Sequence, residues 1–167
     1  DRAVHGGKPM VLDADGLNLL ASHASSDMQI SVITPHPGEA ARLLGCDVVE
    51  IQKERFASVR RLAEKFDCVA VLKGAGTLVA DPRGQVALCP FGNPGMASAG
   101  MGDLLTGVIA GLLAQGMSPW DSACLGVLAH AVSGDRAAQG RPRGLLASDL
   151  LLPLRDCVNG AVACAHE

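Results

Sequence analysis

The run Asn93-Pro-Gly-Met-Ala-Ser-Ala-Gly-Met-Gly-Asp103 leads straight into Leu104-Leu-Thr-Gly-Val-Ile-Ala-Gly. A glycine-rich loop thus opens an apolar helix, with one carboxylate where the helix begins. Backbone N–H groups in a first helical turn lack intrahelical acceptors and carry the positive end of the helix dipole. Gly100 and Gly102 omit the side chains that would hold an anion away from those groups. Such a nest suits a phosphate or a developing oxyanion, and Asp103 beside it suits proton abstraction. Together they read as a phosphoryl-transfer site. The plainer reading of the same residues is a capped helix, with Asp103 as N-cap and the glycines as loop filler.

Three further segments carry chemistry-bearing side chains. In Thr34-Pro-His-Pro-Gly-Glu39 two prolines fix His36, so little backbone freedom is lost when it meets a ligand. His36 is suited to hydrogen-bond a substrate and Glu39 to hold a water or Mg²⁺. The same residues also make an ordinary strand-to-helix turn in which Glu39 favours the helix start. Lys73-Gly74-Ala75-Gly76-Thr77 offers a cation, backbone amides and a hydroxyl to nucleotide phosphates. It lacks the lysine placement of a Walker A loop, and a glycine turn entering a hairpin is the alternative. Asp13 and Asp15 flank Ala14 at a strand end. Strand alternation predicts opposite directions for them, one free to face the site and the other to cap the next helix; the cap falls to Asp15. His130, on an apolar helix, reads as a buried, hydrogen-bonded or packing residue, and Met96 and Met101 as packing.

The elements that must position these groups alternate. Lys8–Asp15 reads as a buried strand followed by a helix near 16–23, and Ile30–Thr34 as a second strand leading to a helix over Glu39–Leu44. Ile51, Phe56, Val59, Leu62, Ala63 and Phe66 lie at helical spacing and predict one amphipathic helix over 51–66. Cys68–Leu72 is a continuous apolar run, as in a strand covered on both faces. Thr77–Ala80 and Gln85–Cys89 flank a turn and predict a hairpin, and helices are expected near 102–115, 119–139 and 148–159. Alternating strands and helices predict an α/β fold with a mainly parallel sheet covered by helices, whose ligands bind beyond the carboxyl ends of the strands. All four chemical segments follow strands in this reading.

Composition narrows the function. The 167 residues suffice for one domain with a sizeable core. Three Phe, one Trp and no Tyr argue against base-stacking platforms, and a formal charge of −3 leaves no basic footprint for nucleic acid or anionic membranes. Six scattered cysteines (46, 68, 89, 124, 157 and 164) show no C-x-x-C spacing. They fit a reducing cytoplasm rather than a disulfide framework or a zinc site. The apolar stretch 104–114 is too short to span a bilayer. The chain opens on Asp1 and runs almost at once into a strand pattern, as expected of a fragment or processed piece.

Taken in order, Val11-Leu-Asp-Ala-Asp-Gly-Leu-Asn18, Thr34–Ala40, Val71-Leu-Lys-Gly-Ala-Gly-Thr77 and Asn93–Gly107 resemble the ADP/ATP-dependent NAD(P)H-hydrate dehydratase family. That family's domain is carbohydrate-kinase-like and related to ribokinase, and the resemblance covers essentially all of the chain. It implies a ribokinase-like layered fold in which residues 1–167 form the C-terminal portion of a single domain, incomplete at its N-terminal side. Asp103 then resembles the catalytic base that meets the hydrated nicotinamide, and His36 a substrate contact. Gly100, Gly102 and the loop from Asn93 resemble the nucleotide-side anion hole, and Lys73, Gly74, Ala75, Gly76 and Thr77 the nucleotide cradle. Glu39 resembles the metal-associated glutamate of the wider superfamily. The implied partners are NADHX or NADPHX, ADP or ATP as phosphoryl donor, Mg²⁺ and further copies of the chain. Without the front of the domain the piece is expected to be inactive by itself. The rival expectations are a sugar or vitamin-precursor kinase and a non-catalytic nucleotide-binding module; an incomplete G-x-G-x-x-G disfavours an oxidoreductase.

Overall fold

The computed structural model describes residues 8–22 and 29–159. The longest uninterrupted apolar run, Cys68–Leu72, sits at the centre of the molecule, and its burial on both sides organises the rest. Strand β3 (Val69–Leu72) sends Val69 and Val71 to one face of the sheet and Ala70 and Leu72 to the other, all four buried. On the first face lie Leu105, Ile109 and Leu113 of helix α5 (Met101–Ala114) with Ala123 and Val127 of α6 (Pro119–Ala138). The opposite face is covered by α1 (Asp15–Ser22), α2 (Pro37–Leu44), α3 (Val48–Lys53) and α4 (Arg55–Phe66), through Leu17, Leu43, Ile51, Val59 and Leu62. The result is three layers, helix, sheet and helix, as an apolar central strand demands.

The sheet order is β1 (Val11–Leu12), β2 (Val32–Ile33), β3, β4 (Thr77–Ala80), β5 (Val86–Cys89). β1, β2 and β3 are parallel, in register Val11↔Val32↔Val69. The β4–β5 hairpin adds antiparallel pairings, Leu72↔Leu78 and Thr77↔Cys89 among them, so the sheet is mixed rather than mainly parallel. Parallel strands bring the ends of β1, β2 and β3 to one rim, and the hairpin returns β5 to that rim.

Several expected boundaries move, each for a local reason. The first strand is only Val11–Leu12, because Ala14 takes the left-handed conformation (φ 46°) and turns the chain into α1. The helix expected over 51–66 is two helices, broken at Glu54 (φ −124°, ψ 51°), and α3 packs on α2. Phe56, counted in the apolar stripe, is half exposed. The last helix comprises a 3-10 turn at Ala147–Leu150 and α7 (Leu151–Val158). Met101 packs with Ala138, Leu145 and Leu150 in a small core, with Met96 against it, as expected of packing methionines. The α5–α6 crossing is close because Gly126 has no side chain: a Cβ there would stand 2.7 Å from Ile109 Cγ1.

Candidate functional site

At the rim, His36 follows β2 and caps α2, with Pro37 at the first helical position. Its Nδ1 accepts from the amides of Gly38 (2.9 Å) and Glu39 (3.3 Å), while Glu39 Oε2 accepts from the His36 amide at 2.7 Å. This reciprocal cap uses Nδ1 as an acceptor, so neutral His36 carries its proton on Nε2. Nε2 lies 3.5 Å from Glu39 Oε1, and the His36 side chain is half exposed. Glu39 itself is buried. Its carboxylate serves the cap and faces Lys73 Nζ at 3.9 Å, and among the described residues no group of three His, Cys, Asp or Glu is arranged to hold a metal. Glu39 therefore does not fit the resident metal-ligand role expected of it.

Lys73 leaves β3 with its amide bonded to the Pro35 carbonyl and its ammonium 2.7 Å from Asp13 Oδ1. Its charge is paired with Asp13, a partner the sequence did not show, while the residue also borders the cavity behind the rim. Asp13 Oδ2 accepts from Thr106 Oγ1 at 2.8 Å, and Thr106 in turn meets the buried hydroxyl of Thr34 at 3.3 Å. Burial pushes the Asp13 carboxyl up, but the hydrogen bond and charge of Lys73, the Thr106 hydroxyl and the Ala14 amide outweigh it and hold it below the usual 3.8. Of the two acids at the end of β1, Asp13 faces the site, and Asp15 lies in the first turn of α1 with Asn18 Nδ2 at 3.5 Å.

Gly100 is the true N-cap of α5 (φ 84°, ψ −14°), and Asp103 is the third residue of the helix rather than its cap. The Asp103 side chain is exposed and has no hydrogen bond or ion pair among the described residues. The amides of Gly102 and Asp103 likewise have no protein acceptor among those residues. A Cβ on Gly102 would stand 3.3 Å from Lys73 Nζ and 3.6 Å from Asp13 Oδ2. Glycine thus lets the start of α5 seat directly on the Lys73–Asp13 pair. His36, Glu39, Lys73, Asp13 and Gly102 form one continuous polar rim, and Asp103 adjoins it.

Behind this rim lies a cavity of about 580 Å³, bordered by Lys73, Gly74, Ala75, Gly76 and Thr77, by the 90–94 segment, and by Met101, Gly102 and His130. Lys73 and Gly102 border both the cavity and the polar cluster, whereas His36, Glu39, Asp13 and Asp103 lie outside the cavity. The Lys73–Thr77 loop is shaped by Arg55, whose Nη2 donates to the carbonyls of Leu72 (3.3 Å) and Gly76 (3.1 Å). The Thr77 hydroxyl donates to the Gly74 carbonyl at 3.0 Å. Asn93 also works on its own loop: its Oδ1 accepts from the Gly95 amide and its Nδ2 donates to Asp135 Oδ1, both at 3.0 Å. His130 is buried, and its Nε2 has no partner among the described residues. Burial pulls its pKa down to about 4, the Met101 backbone opposing, so it is neutral at pH 7.

A helix start with two unbonded amides is thus shared by the cavity and the polar rim. A family model described as NAD(P)H-hydrate dehydratase matches residues 2–154. The chain belongs to the NAD(P)H-hydrate dehydratase family. It is 51% identical over 156 residues to the bifunctional NAD(P)H-hydrate repair enzyme Nnr of Escherichia coli (strain K12), covering 93% of this chain and 30% of that protein. It is 42% identical over 153 residues to the ADP-dependent (S)-NAD(P)H-hydrate dehydratase of Neisseria meningitidis serogroup B, covering 87% of this chain and 52% of that one. In structure it is similar to the ADP/ATP-dependent NAD(P)H-hydrate dehydratase of Bacillus subtilis co-crystallised with ATP/Mg²⁺, with a TM-score of 0.81 and 33% identity over 91% of this chain and 55% of that one. The chain thus spans between about a third and about half of the length of these relatives. Membership and likeness confirm the ribokinase-like layered fold expected from the motifs. No helix among the described residues is long and apolar enough to cross a membrane, and the five cysteines described are free thiols.

Two site groups were not singled out by sequence reasoning. Thr106 stands three residues after Asp103, the spacing that puts two side chains on one helical face. Arg55 reads as one more charge on an amphipathic surface helix, and nothing local marks its reach to Leu72 and Gly76.

Proposed function

We propose that the chain carries the site of a nucleotide-dependent dehydration that returns hydrated NADH or NADPH to its reduced nicotinamide form. The observation that carries this reading is the first turn of α5, where the Asp103 carboxylate has no partner among the described residues, the amides of Gly102 and Asp103 are unbonded, and Gly102 borders both cavity and polar rim. The cavity falls in the size range of small-molecule sites, and its glycine-rich wall suits an adenine nucleotide. Asp103 takes the proton from the hydroxyl of the hydrated ring, and the freed oxygen attacks the terminal phosphorus of ADP or ATP, breaking its bond to the bridging oxygen so that AMP or ADP leaves. The amides of Gly102 and Asp103 meet the charge gathering on that phosphoryl group, with Lys73 alongside. Phosphate then departs with the electrons of the ring C–O bond, the neighbouring carbon loses a proton, and the double bond returns. Phosphorylation turns a poor leaving group into a good one.

With Glu39 engaged in the α2 cap, Mg²⁺ fits this site through nucleotide phosphates rather than a cage of protein carboxylates. His36, half exposed on the rim, offers the substrate a hydrogen-bonding side chain. The free thiols among the described residues fit the cytoplasmic setting that this reading assigns to the chain.

The test is Asp103→Asn, assayed by recovery of reduced-nicotinamide absorbance from NADHX or NADPHX with ADP or ATP, and by calorimetric ADP binding. Turnover should fall about 10²–10⁴-fold while ADP affinity stays within about threefold. A stable phosphate ester as product would mark a kinase instead. Equal loss of turnover and binding would remove Asp103 from the role given it.

A further inference from the structure

Asp13 is largely buried, holds two side-chain partners from distant segments, and lies outside the cavity wall. One oxygen takes the Lys73 ammonium at 2.7 Å and the other the Thr106 hydroxyl at 2.8 Å, so a single carboxylate joins the end of β1 to the exit of β3 and to the second turn of α5. The next residue, Ala14, is held at φ 46°, a conformation that costs a non-glycine residue energy and persists only where its surroundings over-determine it. Both carboxylate oxygens of Asp13 are taken by partners from distant segments, Lys73 and Thr106. Its second oxygen also lies 3.6 Å from where a Gly102 Cβ would stand, in the first turn of α5. Three independently placed segments therefore meet on one carboxylate, and two of them carry the groups assigned to phosphoryl transfer.

We propose that Asp13 is a positioning residue for that transfer: by holding Lys73 with one oxygen and Thr106 with the other, it fixes where the first turn of α5 presents Asp103 and its amides. This rests on the dehydratase reading given above. A buried ion pair is weak evidence of stabilisation, since an apolar replacement is often neutral or better. The expected signature is therefore in placement and turnover, not in folding. Misplacement of reacting groups by an ångström costs about 10²-fold in rate.

The test uses this chain with Asp13→Asn, Thr106→Val and Thr106→Ser. Turnover is measured with hydrated NADH and ADP, and ¹⁵N spectra follow the Lys73 ammonium and the amides of Gly102 and Asp103. Asp13→Asn and Thr106→Val should each lower kcat about 10- to 100-fold, with KM for ADP within about threefold and both amide signals displaced. Thr106→Ser keeps the hydroxyl and should restore both rate and spectra. The Lys73 ammonium signal should broaden or vanish in Asp13→Asn as its proton exchange quickens. Thr106→Val matching Thr106→Ser in kcat, or the Gly102 and Asp103 amides unmoved in Thr106→Val, overturns the proposal; this pair decides it even if Asp13→Asn fails to fold. Should the unaltered chain show no turnover, as expected of a piece without the front of its domain, the spectra alone decide the positioning role: displaced amides uphold it and unmoved amides end it.

Discussion

Acidification should destabilise this fold chiefly through His130, and the size of the effect follows from where that side chain sits. His130 is buried on α6, and burial drops its pKa from 6.5 to about 4. The folded chain thus keeps the imidazole neutral where the unfolded chain protonates it. Between those two values the unfolded state binds more protons, so stability falls as pH drops through 6.5 and levels off below about 4. At about 1.4 kcal/mol per unit the full loss is about 3 kcal/mol, a large share of a typical domain's stability. Asp13 acts in the same direction at lower pH: its carboxyl is held below 3.8, so its contribution is present above that value and disappears as pH falls through its folded pKa. The assay is urea unfolding at a series of pH values, for the unaltered chain and for His130→Leu. With a urea slope of about 1–3 kcal/mol per molar, the midpoint should fall by about 1–3 M across the window. In His130→Leu that fall should largely vanish, whatever the substitution does at neutral pH. Parallel curves for the two proteins would refute the assignment and shift the acid sensitivity onto other groups.

Arg55→Met removes the donor that meets the Leu72 and Gly76 carbonyls, and should weaken calorimetric ADP binding about tenfold with a loss of about 1–3 kcal/mol in urea unfolding. Gly102→Ala brings a methyl to 3.3 Å from Lys73 Nζ at the start of α5, and should weaken ADP binding at least about tenfold while leaving the unfolding midpoint nearly unchanged. Gly126→Ala would drive a Cβ to 2.7 Å from Ile109 Cγ1, so the α5–α6 contact must open at a cost of about 1–3 kcal/mol, read as a lower thermal or urea midpoint.

The parts of this molecule that short-range rules govern were legible from the residues alone. Proline and glycine punctuation marked the loops at 34–39, 73–77 and 93–103, and the unbroken apolar run at 68–72 marked the central strand. Their common rim followed from strand direction, because loops after parallel strands must share an end of the sheet. Where long-range contacts decide the outcome, sequence reading fell short. Lys73 looked free for phosphate because Asp13, its partner, is sixty positions away. Glu39 looked like a metal ligand because its service to the His36 amide depends on an N-terminal turn in one geometry. The break at Glu54 had no proline or glycine to announce it. His130 was correctly placed in the interior, where its Nε2 has no partner among the described residues and burial dominates its behaviour.

Arg55 stands on a helix whose neighbours look outward to water, yet its guanidinium grips the backbone that walls the cavity. The far side of the sheet is consequently tied to the cavity wall through one long side chain. Anything that tugs at α4, whether a crowding neighbour, a chemical label or a change of surface charge, should therefore be carried across the sheet to the backbone at Leu72 and Gly76.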